Sequence, residues 1–194
     1  MKTIDYYNQY ADEFTQSTLN VDMESLYQPF LAELPEYAQL LDVGCGSGRD
    51  ILAFKNKGYK VEAIDYSEEL VERATLLTGL QVRLQSFYEI DEHEAYDGVW
   101  ACASLLHCER TRLAEVLGKL IHTLKPDGVL YMSFKYGDSD REKDGRAFTD
   151  LNEEQAEALR NQFDDVEQIK QWMTVDQRPD RQEKWLNLLW KKIA

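Results

Sequence analysis

Apolar and polar residues alternate along the chain with two periods, and their order predicts an α/β fold. Apolar residues recur every three to four positions over residues 3–17 and 22–33, which is typical of amphipathic helices. Short apolar runs then alternate with helical patterns. They predict strands at 39–43, 59–64, 81–85, 97–102 and 129–135, and helices at 48–57, 68–78 and 109–124.

The last third of the chain departs from this alternation. Residues 137–150 are polar and predict a surface loop, and residues 152–163 predict a helix. Two further strands, at 165–173 and 184–192, follow one another without a helix between them. We therefore expect a doubly wound, mostly parallel sheet that ends in an antiparallel hairpin, within a single domain of residues 1–194.

A glycine-rich turn separates the first predicted strand from its helix. Gly44, Gly46 and Gly48 follow Asp42, and Asp65 ends the second strand 21 residues after Gly44 (65 − 44 = 21). Strand, glycine turn and helix form the context of a nucleotide-binding loop, and an acid at this distance suits a ribose. The glycines are one residue closer together than in the dinucleotide-binding pattern, which disfavours a nicotinamide cofactor.

These residues resemble the class I S-adenosylmethionine-dependent methyltransferases. The first family motif, Asp-x-Gly-x-Gly-x-Gly, is matched by Asp42, Gly44, Gly46 and Gly48, and the acid of the second motif is matched by Asp65. The resemblance covers about residues 36–193. It implies a Rossmann-like, seven-stranded sheet, S-adenosyl-L-methionine as cofactor and S-adenosyl-L-homocysteine as product. It also implies that residues 1–35 form an N-terminal helical lid and 36–194 the core.

The resemblance implies roles for further residues around the donor. At least one tyrosine of the run Tyr6, Tyr7 and Tyr10 in the first helix is expected on the donor carboxylate, with Tyr10 as the candidate, and Tyr66 is expected on the adenine face; packing of the helix is the alternative for the run. Ser86 and Phe87 follow the third strand, where the family contacts adenine, although the acid that is frequent there is absent. Arg49 has two interpretations: it bridges to the donor carboxylate or to a loop acid, or it begins the helix and forms a surface ion pair. The predicted cofactor residues are Tyr10, Asp42, Gly44, Gly46, Gly48, Arg49, Asp65, Tyr66, Ser86, Phe87, Ala101 and Leu106.

The segment after the fourth strand contains the best candidate for a general base. Family members that act on small molecules have a similar pattern here, which implies that the backbone of Ala101 meets the donor amino group and that Leu106 and His107 face the active centre. Imidazole titrates near neutrality, so His107 suits proton transfer. The alternative is a hydrogen-bonded structural histidine. No spacing of His and Cys in the sequence indicates a metal.

Basic residues are concentrated late in an otherwise acidic chain of net charge −14. Guanidinium groups bind oxyanions bidentately. The basic residues at strand ends and in loops expected above the carboxyl edge of the sheet are Lys135, Arg141, Lys143, Arg146, Arg178 and Arg181. We expect them at a local anion site for the methyl acceptor, unless neighbouring acids neutralise them. The overall charge argues against nucleic-acid binding.

Features of the whole sequence indicate where the protein is located and which class of protein it belongs to. Neither a signal peptide nor an apolar run of membrane-spanning length is visible, and three cysteines without C-x-x-C spacing suggest free thiols, so we expect a cytoplasmic protein.

The best interpretation is an S-adenosylmethionine-dependent methyltransferase with a small-molecule acceptor, anionic or a thiol or chalcogen. It is similar to the tellurite-resistance and thiopurine-like groups. The alternatives are a tRNA or protein methyltransferase and a non-catalytic protein that binds adenosyl ligands. Oligomeric state is left open.

Overall fold

A computed structural model describes residues 2–193 and shows a central sheet of seven strands. The strands are β1 (Gln39–Val43), β2 (Lys60–Asp65), β3 (Arg83–Leu84), β4 (Tyr96–Ala101), β5 (Leu124–Lys135), β8 (Val166–Val175) and β9 (Lys184–Lys192). Their order is β3-β2-β1-β4-β5-β9-β8. The first five are mutually parallel, and β9 runs antiparallel to both β5 and β8. The fold predicted from the sequence is confirmed.

Helices cover both faces of the sheet. They are α1 (Thr3–Gln9), α2 (Ala11–Thr18), α3 (Glu24–Leu31), α4 (Arg49–Asn56), α5 (Glu68–Thr78), α6 (Leu113–Thr123) and α7 (Glu153–Arg160). Successive side chains of a strand point to opposite faces. In β4, Val99 joins the apolar cluster formed with α6 and α7, whereas Trp100 joins the cluster formed with α3 and α4. None of the helices within residues 2–193 has the length and apolar character that crossing a membrane requires.

The first predicted helix is interrupted. Residues 3–17 form α1 and α2, because Tyr10, with φ −112° and ψ 28°, leaves the helical conformation between them. The interruption lets α1 and α2 take different directions: Asn8 of α1 bonds with Ser67 before α5, whereas Phe14 of α2 packs on the glycine loop. The uninterrupted helix predicted for this segment was therefore wrong.

Residues 137–150 are not an irregular loop. They contain a two-stranded antiparallel hairpin of β6 (Asp140–Lys143) and β7 (Arg146–Thr149). Its turn is Asp144-Gly145, with φ values of 53° and 77°. Aspartate followed by glycine is a favoured sequence for such a turn, so the signal was present among the polar residues.

Among the other elements, the largest differences from the predicted boundaries lie on either side of α6. Residues 109–124 begin with a 3₁₀ turn at Arg110–Arg112 before α6, so the helix is shorter than expected. Residues 125–128, between the predicted helix and strand, lie within β5, where the pairing with β4 shifts in register between Tyr96 and Gly98. Asp127 takes a φ of 65° at this irregularity. Neither change alters the carboxyl edge of the sheet, where β1, β4 and β5 end together.

Candidate active site

The glycine loop follows the carboxyl end of β1. Strands β2 and β3 lie on one side of β1 and strands β4 and β5 on the other, so the loop is at the topological switch point of the sheet. Gly44, Gly46 and Gly48 have φ values of 74°, 56° and 91°, a region that side chains disfavour. At Gly44 the space is also closed, because an added Cβ would lie 2.4 Å from the Cβ of Ser104. The loop is therefore held close to the segment after β4, and its backbone is exposed to whatever binds above it.

Asp65, at the end of β2, holds the glycine loop through a hydrogen bond to its backbone. Its Oδ2 accepts a hydrogen bond from the Gly46 N–H at 2.8 Å, and its Oδ1 accepts one from the Ser67 N–H at 2.8 Å. Burial raises the pKa of Asp65, and these N–H donors act in the opposite direction. Each carboxylate oxygen has a second lone pair, so the side chain retains acceptors for ribose hydroxyls.

Two buried oxygen atoms near the loop have no hydrogen-bond partner, namely Asp42 Oδ2 and Ser104 Oγ. Burial and the neighbouring Asp50 carboxylate raise the pKa of Asp42 well above its ordinary value. Unpaired buried oxygen atoms are costly and call for a donor. The amino group of an adenosyl donor has N–H groups that would satisfy them, and the left-handed glycines leave room for its approach. The residues around the loop thus fit S-adenosylmethionine.

Arg49 belongs to a buried ion pair rather than to a surface pair. Its Nε donates to Asp50 Oδ1 at 2.7 Å, and Asp50 also accepts from the Tyr27 hydroxyl and from Trp100 Nε1. Burial acts to raise the pKa of Asp50, but the Arg49 guanidinium and these hydrogen bonds hold it below its usual value. Arg49 Nη1 also donates to the Thr18 carbonyl at 3.3 Å. It therefore joins the end of α2 to the helix that begins at the glycine loop.

Helix α1 closes over this site through contacts with distant segments. The Tyr7 hydroxyl lies 2.8 Å from His107 Nε2, and the Ser67 hydroxyl donates to Asn8 Oδ1 at 2.7 Å. Thr3 Oγ1 accepts a hydrogen bond from the Ala147 N–H at 3.0 Å. These contacts span the site from α5 to the β6–β7 hairpin, so α1 is positioned as a cover.

Two members of the tyrosine run, Tyr6 and Tyr7, line the cavity described below, and Tyr7 contacts His107. Tyr10 contacts the ring of Tyr6 at a centroid distance of 4.8 Å and does not line the cavity described below. Tyr7 lies between Phe14 and His107, with centroid distances of 5.3 and 5.4 Å. Tyr7 and Phe14 were visible only as part of an aromatic helical repeat, which does not identify the residue that faces the site.

His107 has a defined tautomer. Its Nδ1 lies 2.8 Å from the Ala147 carbonyl oxygen, which only accepts hydrogen bonds, so Nδ1 carries the hydrogen. Nε2 is then unprotonated and accepts from the Tyr7 hydroxyl. Burial lowers the pKa of His107 to about 4, and the positive charges of Arg146 and Lys135 act in the same direction. At neutral pH the side chain is uncharged, and the lone pair of Nε2 accepts the hydrogen bond from the Tyr7 hydroxyl.

The two predicted arginines lie in different surroundings. Arg178 donates from Nε and Nη2 to Asp176 at 2.9 and 2.7 Å, so its charge is neutralised by a neighbour. Arg146 stacks on the Tyr6 ring, with Cζ 4.2 Å from its centre, and its nearest carboxylate oxygen, on Asp144, is 3.6 Å away. The neutralisation considered from the sequence therefore applies to Arg178 but only weakly to Arg146.

A cavity of about 360 Å³ connects these groups. Its walls come from the glycine loop, α2, the segment after β4, the ends of β5 and β7, and the β8–β9 connection. The predicted residues that line it are Gly44, Gly46, Arg49, Leu106, His107, Arg146 and Arg178. Lys135 of the basic residues and Tyr6 and Tyr7 of the tyrosine run also line it. Phe14 and Ser133 line it too, and sequence reasoning did not assign them to the site.

Eight predicted cofactor residues lie outside this cavity, namely Tyr10, Asp42, Gly48, Asp65, Tyr66, Ser86, Phe87 and Ala101. Ser86 caps a 3₁₀ turn by accepting from the Tyr88 N–H at 3.2 Å, and Tyr66 is 58% exposed. Ala101 is buried in β4. Helix α1 contacts the beginning of α5 through the hydrogen bond from the Ser67 hydroxyl to Asn8 Oδ1.

The cysteines and potential metal ligands add no further centre. Cys45, Cys102 and Cys108 are free thiols, and burial raises the pKa of Cys102 to about 12. Among residues 2–193, no group of three or more His, Cys, Asp or Glu side chains is arranged to hold a metal ion.

Comparison with known proteins supports the same class. Residues 15–175 match the family model described as a methyltransferase domain. An uncharacterized methyltransferase of Staphylococcus carnosus (strain TM300) is 26% identical over 138 residues, covering 67% of this chain and 66% of the relative. The ubiquinone biosynthesis O-methyltransferase of Xanthomonas axonopodis pv. citri (strain 306) is 36% identical over 107 residues, 51% of this chain and 44% of that one. The chain thus spans less than two-thirds of these relatives' lengths.

A solved structure matches almost the whole chain. The 1,6-didemethyltoxoflavin-N1-methyltransferase of Burkholderia thailandensis, with bound 1,6-didemethyltoxoflavin and S-adenosylhomocysteine, aligns with a TM-score of 0.79. It is 22% identical and covers 98% of this chain and 85% of that one. Because the family model covers most of the chain, the protein belongs to the methyltransferase domain family. The class predicted from the sequence, a class I S-adenosylmethionine-dependent methyltransferase, is confirmed.

Proposed function

We propose that this protein transfers a methyl group from S-adenosylmethionine to a small-molecule acceptor bound between the glycine loop and the β6–β7 hairpin. The observation that carries the proposal is the cavity of about 360 Å³, which reaches from Gly44 and Gly46 to His107 and Arg146. This volume is that of a small-molecule site. Its position beyond the carboxyl ends of β1 and β4 is where ligands of such sheets bind.

In this proposal the chain mainly binds and orients two reactants. S-adenosylmethionine supplies an activated methyl group that carries its own leaving group. The glycine loop, Asp65 and the unpaired oxygens of Asp42 and Ser104 bind the donor. Tyr66, Ser86 and Phe87 take its adenine side, and the backbone of Ala101 its amino group. Correct placement supplies most of the rate enhancement for a displacement of this kind.

His107 gives the acceptor a route for losing a proton. An acceptor hydroxyl, thiol or amine that replaces the Tyr7 hydroxyl at Nε2 would find an unprotonated nitrogen fixed by the Nδ1–Ala147 hydrogen bond. The low pKa of His107 makes it a weak base. It therefore suits an acceptor that is already acidic or anionic, for which little base strength is needed.

Macromolecular acceptors are the principal alternative. A net charge of −14 opposes binding to RNA, and α1 and the hairpin cover the cavity in the closed arrangement. The relatives named above include a ubiquinone biosynthesis O-methyltransferase, which favours a small acceptor. A non-catalytic protein that binds adenosyl ligands would retain the loop but not require the cavity.

The test follows the label from S-adenosylmethionine carrying a tritiated methyl group. The protein is incubated separately with a metabolite extract, with total RNA and with total protein from the same cells. We expect label in the metabolite fraction, and loss of transfer in Asp65→Asn, which keeps the shape of the side chain but not its charge. A variant with Glu115→Gln, an exposed acid on α6, is the matched control and should retain transfer. Label only in RNA or protein, or in no fraction, would refute a small-molecule acceptor.

A further inference from the structure

Three cations surround one buried ring at the end of the cavity. Lys135 Nζ lies 4.4 Å from the centre of the Phe148 ring, and the Cζ atoms of Arg146 and Arg141 lie 5.2 and 5.5 Å from it. Phe148 is only 3% exposed. Convergence of three like charges on one buried residue costs free energy unless counter-charges compensate.

The counter-charges are unequally distributed. Arg141 donates to Asp150 through Nε and Nη2, and Lys135 Nζ lies 2.7 Å from Glu183 Oε2. Arg146 has only Asp144, an exposed carboxylate at 3.6 Å, and its Nε is buried without a hydrogen-bond partner. A buried guanidinium N–H that is left unpaired is costly. Positive charge and hydrogen-bonding capacity therefore remain unused at Arg146.

The surroundings of Lys135 also destabilise its positively charged form. Burial lowers the pKa of Lys135, the Glu183 carboxylate opposes this effect, and Arg141 and Arg146 lower the pKa further. An anion bound beside Arg146 would relieve this repulsion as well. The chain as a whole is strongly acidic, so this positive region is local and cannot be ascribed to a general excess of basic residues.

The neighbouring walls define what else the ligand would contain. Tyr6 stacks on the guanidinium of Arg146, and Phe14 and Trp185 line the same cavity. Ala147, the residue after Arg146, accepts the hydrogen bond that orients His107. An anionic group at Arg146 would thus place an attached flat, apolar body among aromatic rings and close to His107.

We propose that Arg146, with Lys135 near the same Phe148 ring, binds a carboxylate of an aromatic methyl acceptor and holds that acceptor beside His107. The planar fork of a guanidinium matches a carboxylate. This inference rests on the proposed function, because it assigns the acceptor class of the same cavity. It makes Arg146 the residue that selects charged over neutral acceptors.

The experiment compares two probes that differ in charge. Calorimetric titration of the protein saturated with S-adenosylhomocysteine uses benzoate and the uncharged benzamide. We expect benzoate to bind about tenfold more tightly or better, because a charge-assisted pair is lost with the amide. In Arg146→Gln the affinity for benzoate should fall by about tenfold and that for benzamide should change little.

The matched control is Arg112→Gln. Arg112 also stacks on a tyrosine, with Cζ 3.9 Å from the centre of the Tyr88 ring, and pairs with a carboxylate, but it does not line the cavity. Benzoate binding should be unchanged in this variant. Retained affinity for S-adenosylhomocysteine in Arg146→Gln would show that the variant folds.

Three results would overturn the assignment: no binding of benzoate, equal affinities for benzoate and benzamide, or benzoate binding that Arg146→Gln leaves unchanged. Failure to bind S-adenosylhomocysteine would count instead against the proposed function. The benzoate titration is therefore repeated without the nucleoside, where the same dependence on charge and on Arg146 is expected.

Discussion

Acidification is expected to destabilise the protein through His107. The side chain is half-buried and its Nδ1 is bonded to the Ala147 carbonyl; desolvation lowers its pKa to about 4 from 6.5. Between pH 6.5 and 4 the unfolded chain binds a proton at this residue that the folded protein does not. Stability is therefore complete above pH 6.5 and is lost as the pH falls toward 4.

The magnitude follows from this difference in pKa. A difference of about 2.5 units, at about 1.36 kcal/mol per unit, corresponds to about 3 kcal/mol. Other groups titrate over the same range, so the measured quantity is the difference between two proteins. The free energy of unfolding is determined by urea denaturation at several pH values for the wild type and for His107→Gln. The wild type should lose about 3 kcal/mol more than the variant between pH 7 and 4.

His93→Gln provides the control, since His93 is an exposed histidine replaced in the same way. Its denaturation midpoints should follow those of the wild type across the pH series. If the curves of the wild type and His107→Gln remain parallel from pH 7 to 4, then His107 is not held neutral by burial. The account of its tautomer and of its unprotonated Nε2 would then be refuted.

Two further substitutions test the glycine loop and the buried ion pair. Gly44→Ala should destabilise the protein more than Gly58→Ala. Both positions have positive φ, which costs a residue with a Cβ about 1–2 kcal/mol. An added Cβ would meet Ser104 at Gly44, but it would meet nothing within 4 Å at Gly58. Equal shifts in the urea midpoint would contradict the close packing of the loop. Asp50→Asn should cost about 3–5 kcal/mol in unfolding free energy, because it leaves the Arg49 charge buried without its partner. A loss no larger than that of Glu115→Gln, in an exposed pair, would show that the pair is unimportant.

The sheet was predictable because its signals are local. Apolar runs bounded by glycine, proline or acidic residues place β1 at 39–43 and β9 at 184–192, and helix α5 at 68–78 follows from the cap residue Ser67 and from Gly79. The β6–β7 hairpin escaped prediction because its strands are almost entirely charged or polar. Its stability comes from pairing and from packing of Phe148, which sequence periodicity does not show.

The donor side of the site was more accessible to sequence reasoning than the acceptor side. The glycines and Asp65 belong to one βαβ unit, so their spacing alone brings them together. The Tyr7–His107 hydrogen bond joins residues 100 positions apart, and the stacking of Arg146 on Tyr6 likewise depends on how α1 closes. Such contacts have no local signal, because they arise only when helix, hairpin and sheet edge meet.

Binding of an adenosyl methyl donor by the glycine loop and Asp65 underlies every role assigned to this site. It can be measured by calorimetric titration of the purified protein with S-adenosylmethionine, S-adenosylhomocysteine and NAD. We expect the two adenosyl ligands to bind in the micromolar range, about −8 kcal/mol, with no binding of NAD and none of either adenosyl ligand to Asp65→Ala. Absence of binding by both adenosyl ligands to the wild type, or binding that Asp65→Ala leaves unchanged, would contradict it.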